Sequence, residues 1–158
     1  MNVQVLSEDT YGKQFISNLV SVLKSASVID NGIKISTLKY NLYKLRSIIT
    51  ASIRSFNKVI VLIDCDGDCQ SGNSALAIRE IEKFNYNNII QIRLSWEIED
   101  WLCISEGISI NSERSSITLR KKYNGYRKFQ LPKYAQKLDV EKLSKESESF
   151  SKFLNELR

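Results

Sequence analysis

Three aspartates stand at alternate positions, Asp64, Asp66 and Asp68, directly after the aliphatic run Val59-Ile60-Val61-Leu62-Ile63. Carboxylates crowded in this way repel one another unless a cation joins them, and hard oxygen donors suit Mg²⁺, or Mn²⁺ in its place. A turn or helix cap around Gly67 would use some of these acids, but three exceed what a turn needs. The spacing is not that of an EF-hand: counting from Asp64, the sixth residue is Cys69 rather than glycine and the twelfth is Ala75 rather than glutamate. The chain contains no histidine, which excludes Ser-His and Cys-His catalysis and any His-ligated zinc hydrolase. Acid–base work therefore falls to carboxylates, Lys, Tyr or metal-bound water. Cys65 and Cys69 flank the aspartates without zinc-ligand spacing, and with Cys103 they make an odd number, so reduced and partly buried thiols are expected.

The elements that must carry these acids can be read from periodicity. A continuous aliphatic run rich in β-branched residues is the mark of a strand buried on both faces, as in a parallel sheet. Open α/β sheets bind their ligands outside the carboxyl ends of such strands, which is where Asp64 to Asp68 fall. A shorter strand, Val3 to Leu6, runs into the polar Ser7-Glu8-Asp9-Thr10, and apolar residues at Phe15, Leu19, Val22 and Leu23 then trace a helix. The turn Asp30-Asn31-Gly32 precedes a short strand at Ile33 to Ile35, and Leu38, Leu42, Leu45, Ile49 and Ile53 predict the next helix. Asn73 can cap a helix running to about Phe84, Ile89 to Leu94 reads as a strand, and Glu97 opens a further helix. Alternation of strands and helices predicts an α/β fold over 1–106: a Rossmann-like, doubly wound, mainly parallel four-stranded sheet with helices on both faces. Residues 107–158 are expected to pack on it as a single compact unit, with terminal helices whose stripe is Leu143, Phe150, Leu154 and Leu157 and whose break falls near Ser147.

Net charge is +5 and unevenly spread. Between Asn111 and Ala135, seven basic residues face a single acid, Glu113, a net of +6 that leaves the remainder near neutral. Arg120, Lys121, Lys122, Arg127, Lys128 and Lys133, with Tyr123, Tyr126, Phe129 and Tyr134 among them, suit a phosphate backbone and stacked bases. Arg93, near the end of its strand, and Lys13, beside the Glu8 turn, are further candidate phosphate contacts. No apolar stretch has the length of a membrane span and the N-terminus lacks a signal-peptide pattern, so a cytoplasmic protein without a membrane partner is expected. No haem or nucleotide cofactor is expected; the partner is nucleic acid, DNA or RNA, with a protein partner left open.

With elements and acids placed, the chain resembles the Toprim domain, the Mg²⁺-binding fold of topoisomerases, primases and OLD-type nucleases. That pattern has a glutamate after the first strand and a DxD after a later one, matched by Glu8 and by Asp64 and Asp66, with Asp68 extending the motif. It is similar above all to small stand-alone Toprim-like proteins of bacteria and archaea, which carry a segment like Glu97-Ile98-Glu99-Asp100-Trp101-Leu102 and end in a helix like Ser147 to Leu154. The glycine that commonly follows the Toprim glutamate is replaced by Asp9, and the nearest glycine is Gly12. The resemblance implies that Asp64 and Asp66 hold Mg²⁺ with Asp68 assisting. Glu8 would complete the metal shell or act as general acid/base, and Glu97 or Glu99 would be further ligands. The implied activity is hydrolysis of nucleic-acid phosphodiesters, most simply by a nuclease; topoisomerase and primase roles need parts for which this length leaves little room. Two alternatives stay open: a Toprim scaffold that binds without cutting, and a haloacid-dehalogenase-like phosphatase with Asp64 as nucleophile and Asp66 as general acid.

Overall fold

The computed structural model describes all 158 residues. Its elements in chain order are β1 (Asn2–Ser7), α1 (Thr10–Ser25), β2 (Lys34–Lys39), α2 (Leu45–Ser55), β3 (Lys58–Asp64), α3 (Gly72–Glu82) and β4 (Ile89–Leu94), followed by α4 (Glu99–Ser105), α5 (Ser115–Lys122), α6 (Leu131–Tyr134), α7 (Val140–Glu146) and α8 (Glu148–Leu157). The four strands form one sheet in the order β2-β1-β3-β4, and every neighbouring pair is parallel. This is the doubly wound α/β arrangement expected from the alternation of strand and helix patterns.

The aliphatic run of β3 is central because both of its faces are covered. Ile60 and Leu62 join Val3, Val5, Ile92 and Leu94 under Phe15, Leu19, Trp101, Phe150 and Phe153. Val59, Val61 and Ile63 join Leu6 against Leu45, Ile49, Ala77 and Ile81. The first face is thus closed by α1, α4 and α8, the second by α2 and α3. Trp101 anchors the first face, meeting the Phe150 ring edge-on at 5.1 Å and the Phe153 ring at 5.2 Å. Residues from the second part of the chain, among them Leu119, Tyr126, Leu131 and Leu143, belong to the same apolar cluster as Val3 and Phe15.

Three boundaries differ from the sequence pattern: α3 starts at Gly72 behind Ser71 rather than being capped by Asn73, α4 starts at Glu99 rather than Glu97, and the second strand runs on past Ile35. Leu38 lies in β2, which pairs with β1 along its whole length from Asn2↔Lys34 to Ser7↔Lys39. Its side chain is exposed, so the 3.6-residue spacing to Leu42 and Leu45 is coincidental. Asn41 turns the chain by accepting the Tyr43 N–H at 2.9 Å, and the α2 helix starts only at Leu45. At the other end the expected break is present: Ser147 Oγ accepts the Phe150 N–H at 3.2 Å and caps α8.

The strand order also fixes where a ligand can sit. From β1 the chain crosses to β2 on one side, and from β3 it crosses to β4 on the other. The direction reverses between β1 and β3, so the crevice of a doubly wound sheet opens at their carboxyl ends. Glu8 follows one of those ends and Asp64 closes the other.

Candidate functional site at the carboxyl edge of the sheet

Glu8 and Asp64 meet across the switch point, their carboxyl groups within hydrogen-bonding reach of each other. The parallel β1–β3 ladder ends at Leu6 opposite Val61, so Glu8 and Asp64 follow within three residues at the same edge. Tyr40, buried at the end of β2, donates its hydroxyl to Glu8 Oε1 at 3.0 Å, with the Leu62 carbonyl oxygen also at 3.0 Å. Burial pushes Glu8 above the usual carboxylate range, while the hydrogen bonds from Tyr40 and Asp64 hold it back. Burial and then the facing charge of Glu8 drive Asp64 well above its ordinary value. Each carboxylate is stable here only if a proton or a cation relieves the other.

The next segment adds two more acids, Glu97 from the loop after β4 and Glu99 from the first turn of α4. Asp100 folds that loop back: its carboxylate accepts the Trp96 N–H at 2.9 Å, the Glu97 N–H at 3.3 Å and the Ser115 hydroxyl at 2.5 Å. Glu97 and Glu99 are thereby held in the interior, 3% and 0% exposed. Glu97 Oε1 accepts the Ser116 N–H at 2.8 Å, and Glu99 Oε1 accepts the Tyr126 hydroxyl at 3.3 Å. Glu99 Oε2 is buried with no partner at all. Burial, followed by the charge of Glu97, raises the Glu99 carboxyl to about 7.

Lys128 is the cation of this cluster. Its Nζ lies 2.8 Å from Asp9 Oδ2, 3.7 Å from Glu97 Oε2 and 3.8 Å from Glu99 Oε1. Burial alone would lower the ammonium, but Glu99, Asp9 and Glu97 outweigh it and raise Lys128 above its ordinary value. Asp9 has a double role, since its other oxygen accepts the Gly12 N–H at 2.6 Å and caps α1. Gly12 lets α1 start close to β1: a Cβ at this position would stand 2.5 Å from Ser7 Oγ and force that hydroxyl to move.

Asp66 and Asp68 are placed differently from Asp64. The backbone leaves the strand at Asp66, φ +50°, and continues through Gly67, φ +90°. A Cβ on Gly67 would lie 2.7 Å from the Trp96 ring, and Gly67 N–H donates to Ser95 O at 2.8 Å, so this loop is pressed onto the one that carries Glu97. Asp66 is near enough to raise Glu8 electrostatically, but its Oδ1 is engaged by Arg114 Nη2 at 2.7 Å and the side chain is half exposed. Asp68 accepts the Gln70 N–H at 2.8 Å in an exposed turn, which lowers its pKa. The geometry therefore gathers Glu8, Asp64, Glu97 and Glu99 and sets Asp66 and Asp68 at the rim. Cys65 and Cys69, expected as free thiols, are paired in a disulfide across this turn, their Cα atoms 4.6 Å apart; Cys103 alone is free.

The basic residues also divide. Lys128 turns inward, whereas Arg120, Lys122, Arg127 and Lys133 are exposed and Lys121 pairs with Glu113 at 2.8 Å. Arg93, exposed on the edge strand β4, is bonded to Gln91 Oε1 at 3.1 Å and lies 3.9 Å from Glu82, so its guanidinium is engaged by groups outside the Glu8–Asp64 pair. Tyr40 and Arg114 belong to the site although neither was singled out in the sequence, whereas Asp9 was noted only as the residue in place of the Toprim glycine and Tyr126 only as one aromatic of the basic segment. Tyr40 and Asp9 each follow a strand end, which is the one signal that could have singled them out.

No three of the His, Cys, Asp or Glu side chains converge on a single point at coordinating range. Mg²⁺ does not require that, since it keeps several waters and is commonly held by one or two carboxylates together with substrate phosphates. The Glu8–Asp64 pair supplies two such carboxylates, the donors are all hard oxygens, and the unpartnered Glu99 Oε2 lies in the adjoining acid cluster. The residues present therefore fit the ion. No family model, curated protein or solved structure matches the chain.

Proposed function

We propose that the protein is a Mg²⁺-dependent, Toprim-type enzyme that cleaves nucleic-acid phosphodiesters, most simply a nuclease, with Mn²⁺ able to substitute. The observation that carries this reading is the meeting of Glu8 and Asp64, two half-buried carboxylates, at the one crevice that the strand order creates. Bound there, the ion would supply Lewis-acid charge to a scissile phosphate and orient water. The chain's own residues do the remainder. Tyr40 fixes the rotamer of Glu8, Lys128 holds Asp9, Glu97 and Glu99 around one positive charge, and the Gly67–Trp96 contact keeps Asp66 at the mouth of the crevice. Arg120, Lys122, Arg127 and Lys133, exposed on the same polypeptide segment as Lys128, would hold the phosphate backbone.

The test is cleavage of labelled single- and double-stranded DNA and RNA with Mg²⁺, Mn²⁺ or chelator. Asp64→Asn should abolish metal-dependent products and Asp66→Asn should reduce them; undiminished cleavage by Asp64→Asn overturns the reading. A second reading, a scaffold that binds nucleic acid without turnover, draws on Lys128 and Arg114, whose cations already pair with Glu97, Glu99 and Asp66. It expects salt-sensitive retention of nucleic acid and no products with any metal.

A further inference from the structure

We propose that the substrate is taken as a single strand, its bases stacked on Tyr11, Tyr43 and Phe129 around the Glu8–Asp64 crevice; the inference rests on the phosphodiester reading above. Four aromatic side chains are exposed on this protein: Tyr11 (39%), Tyr43 (94%), Tyr86 (58%) and Phe129 (57%). An isolated exposed aromatic needs no explanation, and Tyr86, in the connection that leads from α3 into the start of β4, is of that kind.

The other three come from separate segments, and each lies within three residues of a side chain bonded into the acid cluster. Tyr11 is two residues from Asp9, whose carboxylate takes the Lys128 ammonium at 2.8 Å. Phe129 is the neighbour of Lys128 itself. Tyr43 is three residues beyond Tyr40, which donates to Glu8 at 3.0 Å. Each therefore hangs from a backbone position tied into the acid cluster. Each also has a cation within two residues: Lys13 beside Tyr11, Lys44 beside Tyr43, Arg127 beside Phe129. Alternating aromatic faces and cations is the surface that a single strand uses, with phosphates on the charges and bases on the rings. A duplex hides its base faces and could use only the charges.

The shape of the site agrees. None of the principal cavities is lined by Glu8, Asp64 or Glu99; the largest clefts lie at β4 and the α7–α8 junction, at the start of α1's last turns, and along α8. A small substrate would normally be enclosed in a pocket of a few hundred Å³, whereas a polymer needs only an open edge with anchoring points along it.

The experiment measures binding by fluorescence anisotropy in chelator, where nothing is cut, using a labelled 12-mer as single-stranded DNA, as single-stranded RNA and as the duplex. The wild type should hold at least one single strand more tightly than the duplex. Tyr43→Ala and Phe129→Ala should each weaken it between about fivefold and a hundredfold, the range for one lost base–aromatic stack. Tyr43→Trp should retain the affinity. Both side chains are exposed, so circular dichroism of the variants should match the wild type. Equal or tighter binding of the duplex, or affinity for single strands untouched by both alanine variants, overturns the inference. If Asp64→Asn nevertheless abolishes cleavage of a duplex, the phosphodiester reading survives that failure; if no nucleic acid is bound or cut, both fall.

Discussion

Replacing Glu99 by glutamine should stabilise the metal-free protein at pH 8 far more than at pH 4.5. The carboxylate is fully buried, and only Oε1 has partners, the Tyr126 hydroxyl at 3.3 Å and the Lys128 ammonium at 3.8 Å. Burial first, then the neighbouring charge of Glu97, raises its pKa from 4.5 to about 7. A carboxyl whose folded value lies above its unfolded value keeps its proton in the native state over a range where the unfolded chain has already released it. Its contribution is therefore most favourable below pH 4.5, declines as pH rises towards about 7, and is flat above that. Across that window, at about 1.4 kcal/mol per pH unit, the decline amounts to about 3 kcal/mol. Glutamine has no charge to bury and escapes it, while any cost of its extra N–H groups is the same at every pH. Urea denaturation in chelator at both pH values, compared as a double difference between wild type and Glu99→Gln, isolates the charge. The variant should gain about 3 kcal/mol on the wild type between pH 4.5 and pH 8. Parallel pH profiles for the two proteins would refute the reasoning.

Lys128→Met should cost about 2 kcal/mol at pH 8, because Asp9, Glu97 and Glu99 lose their cation in a partly buried site; an unchanged urea midpoint would contradict it. Gly67→Ala should destabilise by about 2 kcal/mol through its positive φ and the collision with Trp96, whereas Gly72→Ala, with positive φ but open space, should cost only about 1 kcal/mol, both read as midpoint shifts. Thiol titration under denaturing, non-reducing conditions should find only Cys103, and reduction should cost about 2 kcal/mol, the value for so short a disulfide loop; three reactive thiols without reduction would refute the pairing.

The central strand was legible because nothing but a doubly covered strand accommodates Val59 to Ile63, and the carboxyl-edge rule then placed Asp64 without further help. Glu8 was singled out by the Toprim resemblance, and its place directly after β1 is where the same rule puts a ligand. What failed was the extension of strand periodicity beyond the strand. Alternate spacing puts Asp64, Asp66 and Asp68 on one side only while the chain stays extended, and at Asp66 the backbone turns to φ +50°. That same turn brings Cys65 and Cys69 together, which their spacing in an extended chain would forbid. Glu97 and Glu99 could be read either as helix-start acids or as site residues; Asp100, which turns the loop inward, decides it, and its partner Ser115 lies too far along the chain for a local pattern to show. Lys128 stood among six other cations of its segment, and only tertiary packing of Tyr126 and Leu131 selects it as the one that faces the acids.

The closure of one sheet face by α8 has a consequence for how the chain is made. Trp101, Phe15 and the apolar side of every strand but β2 wait for Phe150, Phe153, Leu154 and Leu157, which are synthesised last among the core residues. At typical translation rates β1 and α1 precede α8 by on the order of ten seconds. Until then a nascent chain can assemble the α2–α3 side of the sheet but presents the other as bare aliphatic surface, beside three acids whose lysine arrives late as well. Closure of this sheet face is thus a late step of folding, and a chain still lacking α8 carries the apolar surface through which aggregation starts.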